Sequence, residues 1–299
     1  MDYVLQTNEL TKNYGGINVV DKVSLNIKKG EIYGFVGKNG AGKTTFIRLI
    51  LGLAQPTSGS FKLLGDDNVQ NARKKTGSLI ESPSLYTNMT AYENLDLYCT
   101  MLNADKKGID EILKVVGLSD TGKKKAKDFS LGMKQRLGIA MALVGDPEFI
   151  ILDEPINGLD PTGIIEIREL ILNLKNNYGK TIFISSHILG ELEKIATCYG
   201  IISRGKLIEE ITAEELAEKC GTQTIIQTDN PQKSAEIISS MIKNANISFA
   251  TDGAIILDNK VENIGELTNN LFQSGIMVKG IFTQENSAES YFVKKMEGM

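Results

Sequence analysis

Apolar residues recur along the chain with different spacings, and each spacing predicts a different element. From Val4 to Leu10, and again through Val23-Ser24-Leu25-Asn26-Ile27, they alternate with polar residues at the two-residue period of half-buried strands. Gly30 breaks the chain, and Ile32-Tyr33-Gly34-Phe35-Val36 is a continuous apolar run suited to a strand buried on both faces. After Gly42 the period becomes helical, with Phe46, Leu49, Ile50 and Leu53 on one face. Gln55-Pro56-Thr57-Ser58-Gly59 punctuates the chain, and Phe61 to Leu64 then reads as the edge strand of a hairpin. Helical periodicity dominates from about residue 83 to 143. Two further apolar runs, Phe149-Ile150-Ile151-Leu152 and Thr181-Ile182-Phe183-Ile184, flank a helical stretch from Ile164 to Leu174. Buried strands alternating with helices predict an α/β fold, a parallel sheet flanked by helices, with a helical insertion at 83–143.

Near Thr212 the character changes. Residues 213–299 read as a second, small α+β domain. Its strands are expected at Thr224–Thr228, Ala254–Leu257 and Ile276–Phe282, its helices at Ser234–Met241 and Ile264–Phe272, with a last helix from Ser287. A length of 299 residues accommodates two domains, here 1–212 and 213–299.

Composition narrows the function classes. A formal net charge of −4 supplies no basic field for nucleic acid, and the run Lys123, Lys124, Lys125 and Lys127 reads as a solvated surface. Cys99, Cys198 and Cys220 are widely spaced without a CxxC pair, which argues against a disulfide framework or zinc site and for a reducing compartment. Met1-Asp2-Tyr3-Val4 does not read as a signal peptide, and no run of about 18 apolar residues predicts a bilayer span. Any passage across a membrane therefore calls for a partner chain.

Gly37-Lys38-Asn39-Gly40-Ala41-Gly42-Lys43-Thr44, followed by Thr45, fits the P-loop pattern between a buried strand and an amphipathic helix. Its glycines let backbone N–H groups converge on phosphate oxygens, and the helix that follows directs its positive end at the same anion. Lys43 reaches β- and γ-phosphates and Thr44 supplies a hydroxyl to Mg²⁺, so ATP with Mg²⁺ is the expected ligand. Asp153 and Glu154 end a four-residue apolar strand and so fall at the carboxyl edge of the sheet. Asp153 suits Mg²⁺, and Glu154 suits a general base acting on the attacking water. The only histidine, His187, follows another strand to the same edge and is expected to hydrogen-bond the γ-phosphate or its water.

With these motifs in place, the chain from about Val4 to Ile211 resembles the ATP-binding cassette ATPases. Phe129-Ser130-Leu131-Gly132-Met133-Lys134-Gln135-Arg136 looks like that family's signature segment, with Leu131 and Met133 departing from its commonest form. The resemblance implies a P-loop core with a parallel sheet, an antiparallel β subdomain and an inserted helical subdomain. It further implies that Ser130 and Gly132 cap nucleotide held by a second copy, that Tyr14 stacks on adenine, and that Asp160, in Gly158-Leu159-Asp160, communicates between the two sites. Glu81 stands where the family usually has Gln, and a carboxylate there still suits Mg²⁺. That variant, with Ile80-Glu81-Ser82-Pro83 and Thr90-Ala91-Tyr92-Glu93-Asn94-Leu95, is similar to the bacitracin-resistance and lantibiotic-immunity drug-exporter subunits. The implied protein is a bacterial ATPase at the cytoplasmic face of the membrane. It would form an ATP-dependent homodimer, power export of a peptide antibiotic through a separate permease, and bind no nucleic acid. Export of another substrate, or a soluble role without transport, is the alternative.

Overall fold

The computed structural model describes residues 3–66, 68–220, 222–242, 245–257, 261, 263–285 and 288–298. Contacts divide the chain into two compact units, residues 1–213 with 295–299, and residues 214–294.

In the first unit, β1 (Tyr3–Tyr14), β2 (Ile17–Val23) and β3 (Asn26–Lys28) form an antiparallel sheet. After β4 (Ile32–Val36) and α1 (Lys43–Leu51), β5 (Ser58–Leu63) joins that sheet beside β1, with Leu5 opposite Leu63 and Thr7 opposite Phe61. The hairpin expected around Phe61 is thus replaced by a long-range pairing. Gly59 makes it possible, because at φ 81° a side-chain carbon there would lie 2.3 Å from the Glu9 carbonyl oxygen.

The second sheet is the centre of the unit. After α2 (Val69–Arg73) come β6 (Thr76–Leu79), β7 (Phe149–Asp153), β8 (Thr181–Ser186), β9 (Cys198–Ser203) and β10 (Lys206–Thr212). The order is β10-β9-β4-β8-β7-β6, all parallel except β10, which turns back on β9. Every residue of β4, β7 and β8 is buried, which is why these strands read as unbroken apolar runs. An aromatic cluster packs α1 onto them, with Phe35 ring centroids 5.1 Å from Phe46 and 5.3 Å from Phe183.

The helical insertion comprises α3 (Ala91–Leu102), α4 (Ile109–Val115) and α5 (Leu131–Leu143), and α6 (Pro161–Asn176) and α7 (Leu189–Leu192) follow it. Thr90 and Glu93 cap the first turn of α3 reciprocally. Lys125 pairs with Glu93 at 3.0 Å, while Lys123, Lys124 and Lys127 are exposed. Asp160 starts α6 earlier than the apolar period suggested, its carboxylate accepting the Gly163 N–H at 3.1 Å with Pro161 in the first turn.

The second unit begins within α8 (Ala213–Lys219). It is an antiparallel sheet of order β12-β13-β11-β14, built from β11 (Thr222–Thr228), β12 (Ile247–Phe249), β13 (Ile255–Leu257) and β14 (Val278–Glu285). Helices α9 (Pro231–Met241) and α10 (Ile264–Gln273) contribute Ile238, Leu267 and Leu271 to a core with Ile226 and Ile255. Three strands were expected; the fourth, β12, has only three residues, too few for a legible period. The last helix is α11 (Ala288–Glu297), and Ser287, its expected start, lies outside the described residues.

Candidate functional site

The strand order β4-β8-β7-β6 lines up four carboxyl ends along one edge of the sheet. From β4 runs the P-loop, from β8 His187, from β7 Asp153 and Glu154, and just beyond β6 Glu81. Sheet topology, not proximity in sequence, brings these residues together.

The P-loop is shaped by close approaches. A side-chain carbon at Gly37 would lie 2.5 Å from the Ile202 carbonyl oxygen, and one at Gly42, φ 107°, would lie 2.4 Å from that of Val19. Ala41 is tied to the β9–β10 turn by the Gly205 N–H, which donates to its carbonyl at 2.9 Å. Asn39 and Gly40 at the crest are exposed, and Gly40 has φ 80° with open space around it. Thr44 and Thr45 are half-buried in the first turn of α1.

Lys43 is 6% exposed and its ammonium is fully engaged. It donates to the Gly37 carbonyl at 2.6 Å and lies 3.2 Å from Glu154 Oε1. The other carboxylate oxygen, Oε2, is 2.8 Å from His187 Nδ1. Because a carboxylate only accepts, Nδ1 carries the proton of this bond. Lys43, Glu154 and His187 therefore form a continuous chain of polar contacts from P-loop to β8. Glu154 is held there in a strained backbone conformation by a double anchor. Its φ is 51°, and its N–H donates to both the carbonyl and the hydroxyl oxygen of Ser185, at 3.2 and 3.0 Å.

Ser185 is the site residue that motif reading missed. It is fully buried, accepts from Glu154, and donates its hydroxyl to Asp153 Oδ1. Asp153 is also fully buried, and its second oxygen, Oδ2, has no hydrogen-bond partner. Burial pushes this carboxyl above the usual carboxylate range, and the hydroxyls of Ser185 and Thr44 pull it part of the way back. An orphaned carboxylate oxygen beside a Thr hydroxyl is a donor set that fits a small, hard divalent cation such as Mg²⁺.

The remaining candidates take no part in the Lys43–Glu154–His187 contacts. Glu81, at φ 55°, bonds through Oε1 to the Arg48 guanidinium at 2.8 Å, on the outer turn of α1. Ser130 caps α5 by accepting the Met133 N–H at 3.2 Å. A side-chain carbon at Gly132 would meet only Gly163 and Leu159, at 3.9 and 4.0 Å, so the start of α5 lies beside the Asp160 turn and presents an open face. Tyr14 ends β1 half-exposed at 50%, with the Lys12 ammonium 4.8 Å from its ring centroid, which excludes the core-packing role a tyrosine near a turn often has.

A glycine-rich loop opening a helix at the centre of a parallel sheet, with a buried acidic pair on the neighbouring edge, defines a P-loop nucleoside-triphosphatase. Residues 20–157 match the family model described as ABC transporter. The whole chain is 41% identical to the bacitracin transport ATP-binding protein BcrA of Enterococcus faecalis, covering 98% of that protein. It is 43% identical over its whole length to the protein of the same name from Bacillus licheniformis, covering 99% of it. Over 69% of its length it is 46% identical to the lantibiotic transport ATP-binding protein SrtF of Streptococcus pyogenes, covering 90% of that protein. Among solved structures, an ABC-transporter subunit of Clostridium perfringens superposes with TM-score 0.66 at 28% identity, over 72% of this chain and 91% of the other. A cassette solved as a dimer with ADP and phosphate gives 0.62 at 27% identity, over 70% and 98%. This chain belongs to the ABC transporter ATP-binding proteins, and the family and fold imply ATP hydrolysis.

Proposed function

We propose that the chain drives export of a peptide antibiotic of the bacitracin or lantibiotic type through a permease on a separate chain, giving resistance or self-protection. The observation that carries this reading is the likeness to bacitracin transport ATP-binding proteins, which extends over the whole chain, residues 214–294 included. Among the described residues no helix is long and apolar enough to cross a membrane.

The site chemistry follows from the contacts. ATP phosphates bound in the P-loop compete with Glu154 for the Lys43 ammonium, because both are anions seeking one buried cation. Released from Lys43, the Glu154 carboxylate accepts a proton from water, while the His187 bond at Oε2 keeps it oriented. Thr44 and Asp153 are the residues that would hold Mg²⁺, which would supply neutralisation of phosphate charge. Ser130 and Gly132, at the open start of α5, receive the γ-phosphate held by a second copy, and Asp160 stands beside them at that junction. Two copies then close head to tail on two nucleotides, and hydrolysis removes the contact that holds them together. Tyr14 is free on one face to stack on adenine.

The experiment is a resistance assay in a sensitive bacterium expressing the chain with the membrane proteins that co-purify with it. Protection against bacitracin or a lantibiotic, lost with Glu154→Gln, supports the reading. Unchanged sensitivity to both, with ATP hydrolysis intact, assigns the motor to another cargo.

A further inference from the structure

Glu81 poses a charge problem. Glu81 lies just beyond β6, on the sheet edge that carries the P-loop and the acidic pair, so its carboxylate adds negative charge to the edge read as the phosphate site. The structure places a basic partner against it. Arg48 Nη2 lies 2.8 Å from Glu81 Oε1, and Arg48 is the residue four after Thr44 on α1. Residues four apart share one helix face about 6 Å apart along the axis. The same helix that presents Thr44 to the site therefore offers Glu81 a counter-charge one turn further out. Both side chains are largely exposed, 47% for Arg48 and 62% for Glu81, so the pair contributes little to folding. The backbone of Glu81 nevertheless sits in the left-handed region, φ 55°, a conformation retained only where the surroundings impose it.

We propose that Arg48 is a positioning residue for the nucleotide site: it holds the Glu81 carboxylate against the outer turn of α1, away from the phosphates, and cancels its charge. The proposal rests on the reading that ATP binds at the P-loop with Glu81 beside it. Loss of Arg48 releases an uncompensated carboxylate toward the bound polyphosphate. Roughly a three- to tenfold weakening of ATP binding is expected from one additional like charge in a partly screened site.

The test is a titration of the purified protein with a fluorescent ATP analogue, with and without Mg²⁺, beside thermal melting of the protein alone. Arg48→Ala should weaken binding by that factor while the melting temperature stays within about 1 °C, as for an exposed pair. In the Glu81→Gln background the same substitution should change affinity less than about twofold, and Arg48→Lys should restore most of the binding. Equal weakening by Arg48→Ala in both backgrounds would overturn the proposal, because Arg48 would then act on the nucleotide without Glu81. No change in affinity in any variant would overturn it together with the placement of Glu81 beside the phosphates. Failure of the analogue to bind the unsubstituted protein would instead refute the P-loop reading itself.

Discussion

Ser185 offers the sharpest test of how the acidic pair is built. Its hydroxyl bonds Asp153 Oδ1 and accepts the N–H of Glu154, and all of this happens at a residue with no solvent exposure. Ser185→Ala removes a hydrogen bond to a buried carboxylate, worth about 1.5–3 kcal/mol for a charged acceptor. It leaves the Glu154 N–H with the Ser185 carbonyl alone, so the strained φ of 51° loses one of two anchors. For a unit of this size each kcal/mol lowers the midpoint by about 2–4 °C, so a fall of roughly 3–12 °C is expected in a melt of the protein alone. With one hydroxyl fewer, the Asp153 carboxyl rises further above its usual range, and Mg²⁺-supported hydrolysis should weaken more as pH is lowered. Differential scanning fluorimetry and a phosphate-release assay between pH 6 and 8 read both effects. Asp153→Asn supplies the control, since in its background Ser185→Ala should cost much less. A melting point within 1 °C of the unsubstituted protein, with a parallel pH profile, would show that Ser185 does not anchor the acidic pair.

Other outcomes follow from the same structure. Glu154→Gln removes the charge that pairs with Lys43 and the base that accepts the water proton, so ATP should bind but not turn over. Light scattering with ATP and Mg²⁺ should then show about twice the 32.7 kDa of one chain, and a persistent single-chain mass counts against the head-to-tail pair. Burial, then the Glu31 and Glu210 carboxylates, push the Cys198 thiol up to about 12. A folded value raised above an ordinary value of about 9 means that stability from this group is complete below pH 9 and is lost as pH climbs toward 12. Melting points between pH 8 and 11 should therefore fall less steeply in Cys198→Ala. Tyr33, whose hydroxyl is also raised by burial and by Glu210, needs a Tyr33→Phe companion to separate the two, and equal slopes in all variants would remove the linkage.

What could be read in advance was whatever sits contiguously in the chain. The P-loop, the acidic pair and His187 each announce themselves within eight residues or fewer, and β4, β7 and β8 are apolar throughout because both faces are buried. Contacts across the sheet order were illegible. Ser185 becomes a site residue only because β8 lies beside β7, and Arg48 only because α1 passes the end of β6. Short or mixed strands were the other gap. Of Thr76-Gly77-Ser78-Leu79 only the Ser78-Leu79 end was anticipated, as a strand Ser78-Leu79-Ile80 before Glu81, because the segment has a single large apolar residue. Gly77 is required because a side-chain carbon there would lie within 2 Å of the Ala142 carbonyl oxygen. The pair β9 and β10 went unassigned although β9 is apolar, because its period is cut by Gly200, whose missing side chain makes room for the Tyr33 hydroxyl. Tyr14 and Asp160 were named from resemblance alone, and the structure adds an exposed ring and a helix cap, respectively.

The proposed partnership with a permease on a separate chain is tested by purifying the tagged protein from native membranes in mild detergent and identifying what accompanies it by mass spectrometry. One or two polytopic membrane proteins are expected in stoichiometric amounts. Recovery in the soluble fraction, alone or with ribosomes or DNA-bound proteins, would contradict it.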